Sequence, residues 1–226
     1  MLSHSGRKRS SLGSALYIVA ALQFVVLLAI AGSRYGPPTY NPVTVTISDL
    51  QAVDCGTFQG AQVCSPLHAL ANLSVAALGT LVVAGSLLLR PAFPGGRRRD
   101  AAVGLLVVAG LASVVNAFTP EDVTWIGDLV TALVAFLGAN FGLVQIGRAM
   151  PAGVQWGRLR FFSQSLGMLG VAALILDGFG LGTVIGTGTV EWLIVAPILI
   201  WTPATGTYMI LETRSAQRKG VLSSSR

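Results

Sequence analysis

The sequence predicts an all-α membrane protein, a bundle of six transmembrane helices, and three observations carry that reading. Of its 226 residues, 53% are hydrophobic and 11% are charged, where a soluble domain carries about a quarter charged residues. Apolar runs close to the roughly 20 residues that span a bilayer recur along the chain. Fourteen of the fifteen basic residues fall in alternate connections between those runs, the positive-inside pattern.

The elements follow in order. Residues 1–12 form a basic N-terminus with Arg7, Lys8 and Arg9, expected to be cytoplasmic. The first span is Gly13–Gly32. Its basic start and its Ala29-Ile30-Ala31 also fit a cleaved signal peptide, but an apolar run of about 19 residues exceeds the usual signal core, which favours a retained anchor. Residues 33–65 then form the longest non-membrane stretch, an extracytoplasmic loop. It opens with turn chemistry in "YGPPTYNP". "VTVTI" is β-branched, which suits a short strand; an irregular loop is the other reading. Cys55 and Cys64 are the only cysteines, and in an oxidising compartment they are expected to pair. Closing that loop contributes roughly 3 kcal/mol.

The second span is Pro66–Leu89, followed by a short cytoplasmic loop with Arg90, Arg97, Arg98 and Arg99. The third is Ala101–Phe118, then "TPED". The fourth is Thr124–Gly147, then a loop with Arg148, Arg158 and Arg160. The fifth is Phe161–Gly178, then "GFGLGTVIGTGT". The sixth is Thr189–Leu211. Pro197 and Pro203 lie inside it and are expected to kink rather than break it. The six-helix domain thus covers residues 13–212, and residues 213–226 form a polar cytoplasmic tail that reads as disordered. Arg34 alone lies on the far side. The basic residues are topology signals first and contacts for anionic lipid headgroups second. No nucleic-acid-binding motif accompanies the net charge of +6.

Polar residues inside spans are costly and often mark function. Here they share a depth near the outer interface. Ser65, His68 and Asn72 begin the second span, with His68 and Asn72 on one helical face. Asn116 lies near the outer end of the third span, Asp128 begins the fourth, Asp177 ends the fifth, Glu191 begins the sixth, and Asp49 and Asp54 lie above them. One reading is a ligand pocket of Asp49, His68, Asn72, Asp177 and Glu191 beneath the loop. The other is a polar rim, since carboxylates favour helix N-termini. Asp177 fits the rim least, because it sits at a helix C-terminus. Deeper in, Gly138 and Gly142 flank Asn140, a pattern for close helix approach with an interhelical hydrogen bond.

Ser65, His68 and Asp128 also supply the residue types of a hydrolase: nucleophile, base and orienting acid. They are weak catalytic candidates, because no nucleophile elbow of the Gly-x-Ser-x-Gly kind is present. With one histidine in the outer half, no metal site is expected, and no cofactor.

Four stretches, "ISDL", "CSPLHALANLSVAALGTLVV", "FLGANFGLVQIG" and "GTVEWLIVAPILIW", resemble the domain of unknown function 998 family of bacterial integral membrane proteins. The resemblance covers roughly residues 15–212. The matching elements are Ser48, Asp49, Pro66, Asn72, Asn140, Glu191 and Pro197. Gln51 stands where glycine is usual, and Trp192 where arginine often follows the glutamate. The family implies a six-span protein of the bacterial plasma membrane with no established activity. The functional expectation is a protein that binds a lipid, a small polar ligand or an envelope membrane-protein partner at its extracytoplasmic face. The alternatives are a membrane-embedded hydrolase acting on lipid headgroups and a small transporter.

Overall fold

The computed structural model describes residues 4–58, 60–153 and 156–224. Eight helices and one hairpin appear in the order α1 (His4–Gly32), α2 (Ile47–Gln51), β1 (Gly56–Phe58), β2 (Ala61–Val63), α3 (His68–Leu89), α4 (Arg97–Asn116), α5 (Trp125–Ala149), α6 (Gly157–Gly178), α7 (Leu181–Ile185) and α8 (Thr187–Ser224). Six of them are long and apolar enough to cross a membrane: Lys8–Gly32, His68–Ala92, Arg97–Asn116, Trp125–Ala149, Gly157–Gly178 and Thr187–Ser215. They coincide with the six runs read from the sequence. Pro197 and Pro203 lie within α8, which continues through both.

The six long helices form a closed ring. Each packs on the next in the chain, and α8 returns to pack on both α6 and α1. The ring closes tightly because small residues let backbones approach. Gly79 of α3 and Gly110 of α4 face each other, and a Cβ on either would strike the other's carbonyl oxygen. Between α4 and α5, a Cβ on Gly138 would lie 3.1 Å from both Ala109 Cβ and the Leu105 carbonyl oxygen. The glycine pair flanking Asn140 therefore does what its spacing predicts. Asn140 Nδ2 donates across the ring to the Ile194 carbonyl of α8 at 3.1 Å. Gly170 of α6 leaves room for that side chain.

An aromatic knot locks α1, α3, α6 and α8 together. Trp201 is fully buried; its indole N–H donates to Ser163 at 2.8 Å, and its ring packs on Tyr17 and Phe93. Tyr17 in turn shares a 2.8 Å hydrogen bond with Ser86.

Two expectations are corrected. Of the two readings of "VTVTI", the strand fails and the irregular loop holds as far as Thr46. Residues 42–45 make turns, and Thr46 starts the helix α2. The reason is local. Thr46 and Asp49 stand at the N-cap and third positions of a capping box, and both reciprocal bonds form. That outweighs the β preference of a few branched side chains. The strands of the loop are instead β1 and β2, an antiparallel hairpin pairing Gly56 with Val63. Cys55 and Cys64 flank this hairpin and are disulfide-bonded. The second correction is the tail. α8 runs on to Ser224, so residues 213–224 of the segment read as disordered continue the last helix, and residues 225–226 lie outside the described residues. Extending a helix that already exists avoids the nucleation cost.

Candidate functional site

The loop of residues 33–65 folds over one end of the ring, and α2 enters its mouth. A helix start leaves four backbone N–H groups without intrahelical partners. In α2 all four are taken. Asp49 Oδ2 accepts from Thr46 N at 2.7 Å, and Thr46 Oγ1 accepts from Asp49 N at 2.9 Å. The Glu191 carboxyl group, from the second turn of α8, accepts from the amides of Ile47 and Ser48.

The other end of α2 is held as fully. Ser65 Oγ donates to the Leu50 carbonyl at 2.7 Å. Gln51 and Asn72 exchange two bonds: Gln51 Nε2 to Asn72 Oδ1 at 2.9 Å, and Asn72 Nδ2 to the Gln51 carbonyl at 3.2 Å. Asp122 Oδ2, from the α4–α5 connection, accepts from Val53 N and Asp54 N, both at 2.8 Å. The preceding turn rests on α8, where Thr189 N donates to the Val43 carbonyl and Thr187 Oγ1 to the Thr44 carbonyl. Gly186 and Gly188 permit this approach, since a Cβ on Gly186 would strike the Val43 carbonyl and one on Gly188 the carbonyls of Val45 and Pro42.

Four carboxyl groups meet around α2: Asp49, Glu121, Asp128 and Glu191. Asp128 is buried and accepts from Asn116 Nδ2 at 2.8 Å and from Ser48 Oγ at 3.4 Å. Glu121, in the α4–α5 connection, shares a hydrogen bond with Asp49. Burial first, and then the charge of Asp49, push Glu121 from an ordinary 4.5 up to about 9. Two carboxyl groups in one hydrogen bond must share a proton, so Glu121 is the member that holds it at neutral pH. Among the described residues the ion pairs are Arg90–Asp100 and Arg99–Asp100, at the opposite end, so no basic side chain offsets this cluster.

Beneath α2 the ring encloses a cavity of about 70 Å³. Ser48, Gln51, Asn116 and Glu191 line its mouth, while Phe24, Val75, Leu78, Ala135 and Ile194 form apolar walls from α1, α3, α5 and α8. Asn140 lines it deeper in. Among the described residues no group of three or more His, Cys, Asp or Glu side chains is placed to hold a metal.

The residues read from the sequence divide. Asp49 and Glu191 come together on α2, and Asn72 holds its far end through Gln51. His68 is half-buried at the start of α3 with Nδ1 3.1 Å from the Ser65 carbonyl. Asp177 does not join the cluster. It is exposed at the end of α6, where residues 175–179 are all exposed. A Cβ on Gly182 of α7 would lie 3.1 Å from an Asp177 carboxylate oxygen. The side chains of Ser65, His68 and Asp128 do not hydrogen-bond to one another: Ser65 Oγ donates to the Leu50 carbonyl, the His68 ring meets the Ser65 backbone carbonyl, and Asp128 accepts from Asn116. Glu121 and Asp122 were missed, because "TPED" reads as a bare turn. Gln51, the departure from the family's glycine, is 2% exposed and occupies a helical position facing Asn72. Trp192, at the place of the usual arginine, packs edge-on against Phe24 with ring centroids 6.3 Å apart.

The ring of six apolar helices with a disulfide-bearing cap defines a multi-pass membrane protein. The chain belongs to the family described as protein of unknown function DUF998, whose profile matches residues 18–208. No curated protein and no solved structure matches it.

Proposed function

We propose that this is a binding protein of the bacterial plasma membrane that holds a small amphiphilic ligand, a lipid above all, from its extracytoplasmic side. The observation that carries this reading is the cavity under α2. Its walls are apolar and its mouth presents hydroxyl, amide and carboxyl groups. That division matches an apolar body with a hydrogen-bonding head. α2 is a cap held by polar bonds, and such bonds exchange with water or with a ligand head at small net cost. The orientation follows from the fourteen basic residues at the connections opposite the disulfide. Both termini are then cytoplasmic, and the cysteines face an oxidising compartment.

The hydrolase reading has less support, because Ser65 Oγ is buried and spent on the Leu50 carbonyl. A transporter would need polar groups along its full depth, and the cavity walls below the mouth are apolar apart from Ser113 and Asn140.

The test is mass spectrometry of lipids extracted from the purified protein, beside an Ala135→Leu variant that fills the cavity. A lipid class enriched by the native protein and lost in a variant of equal thermal stability supports the reading. Identical extracts from the two proteins overturn it.

A further inference from the structure

At the end of the ring opposite the disulfide lies a second, open cavity of about 690 Å³. Its lining includes Arg97 and Arg98 from the first turn of α4, Gln145 and Arg148 from the end of α5, and Arg160 and Gln164 from the start of α6. We infer that this cavity is a binding site for a phosphate group, carried by an anionic phospholipid headgroup or as free phosphate.

Topology alone does not call for this arrangement. The positive-inside pattern requires arginines on one side of the membrane and is indifferent to their position around the ring. Four guanidinium groups from three helices facing one space repel each other, so their convergence needs an anion to offset it. Asp100, an acidic residue of this end, is bonded to Arg90 at 3.0 Å and to Arg99 at 2.9 Å, two arginines outside the cavity. Among the described residues no carboxylate pairs with Arg97, Arg98, Arg148 or Arg160.

The remaining groups extend the donor set. Gln164 Nε2 is buried without a hydrogen-bond partner. The side chain is held by packing, since its Cγ lies where a Cβ on Gly147 would fall. Arg160 Nη1 donates weakly to the Met150 carbonyl at 3.4 Å, which fixes the guanidinium and leaves its other N–H groups available. α4 starts at this cavity with Gly96 at its N-cap and no side-chain cap, so its first amides and the positive end of its dipole also face this level. Planar guanidinium forks and an amide N–H, all donors, suit the oxygens of a phosphate better than any cation or neutral sugar. The position at the membrane boundary, between helices, is where basic pockets meet lipid headgroups.

The experiment uses the full chain in nanodiscs. One arm measures retention of phosphatidylglycerol against phosphatidylcholine by native mass spectrometry. The other measures the thermal shift produced by inorganic phosphate against chloride at equal ionic strength. Arg98→Gln with Arg148→Gln removes two exposed arginines of the cavity. Arg158→Gln with Arg214→Gln removes the same charge at the same end outside it. Losing two phosphate contacts should weaken binding roughly thirtyfold, and the control pair should weaken it by no more than about threefold. A response to phosphatidylglycerol alone assigns the site to a lipid headgroup, and a response to inorganic phosphate assigns it to the free anion. Equal losses in the two double variants would show diffuse electrostatics and overturn the inference, as would no preference over phosphatidylcholine and chloride in the native protein.

Discussion

Glu191 fixes the cap to the bundle, and its removal is the sharpest perturbation available. Its carboxyl group is the partner of two α2 amides, those of Ile47 and Ser48, across 144 residues of chain. In Glu191→Ala both amides keep their place and lose their acceptor. A buried donor left unsatisfied costs about 1–3 kcal/mol, so two cost about 2–6 kcal/mol if the cap stays docked. The cap relieves that cost by opening more often, because opening lets water reach the amides. The lower bound, about 2 kcal/mol, sets the change in the opening equilibrium and corresponds to roughly thirtyfold. The capping box of Thr46 and Asp49 is internal to α2 and survives. Hydrogen–deuterium exchange over residues 46–52 reads the effect directly. Exchange there should rise roughly thirtyfold while the hairpin around the disulfide is little changed. Glu191→Gln keeps an oxygen acceptor at the same place and should retain most of the protection. Unchanged protection in Glu191→Ala would refute the assignment of Glu191 as the anchor of the cap.

Three other outcomes are expected. Cys55 and Cys64 should resist alkylation in denatured protein until reductant is added, and ready labelling of both beforehand would exclude the bond. The Glu121 carboxyl group holds its proton in the folded state up to about 9 and releases it near 4.5 when unfolded. The folded state therefore binds more protons between these values, and thermal stability should fall as pH rises from about 5 towards 9. The groups facing Glu121 are Asp49, Asp128 and Glu191, all acidic. Glu121→Gln should flatten that slope, and an equally steep slope in the variant would remove Glu121 as its source. Reporter fusions after Gly95 and at the C-terminus should read cytoplasmic and a fusion after Thr57 external, and a cytoplasmic signal at Thr57 would invert the topology.

The six spans were legible because length and apolarity are summed properties that no single contact can override. The α4–α5 approach was legible for a similar reason: Gly138 and Gly142 are four apart and can only leave space on one face. The cap was not. In residues 43–47 the side chains favour a strand, while one capping box at Thr46 and Asp49 selects a helix, and two hydrogen bonds outweighed several weak preferences. The candidate site was half legible. Sequence position fixes how deep a residue sits but not where it lies around the ring. Asp177 and Glu191 share a depth, yet one is exposed at the end of the least buried span and the other points inward at α2. Glu121 and Asp122 escaped notice because their role depends on the cap lying over a short turn, a contact no local pattern encodes.

The dependence of α2 on Glu191 has a consequence for biogenesis. The segment that closes the mouth is made early, and its anchor lies 144 residues later. At a synthesis rate of roughly 5–20 residues per second, the ribosome needs about 7 to 30 s to travel from one to the other. During that interval the amides of Ile47 and Ser48 lack the Glu191 acceptor, and the last helix, which also completes the ring between α6 and α1, has not left the insertion machinery. The nascent chain therefore waits with its mouth open. The interior can therefore be sealed only once the final span has arrived and the cap has closed on Glu191.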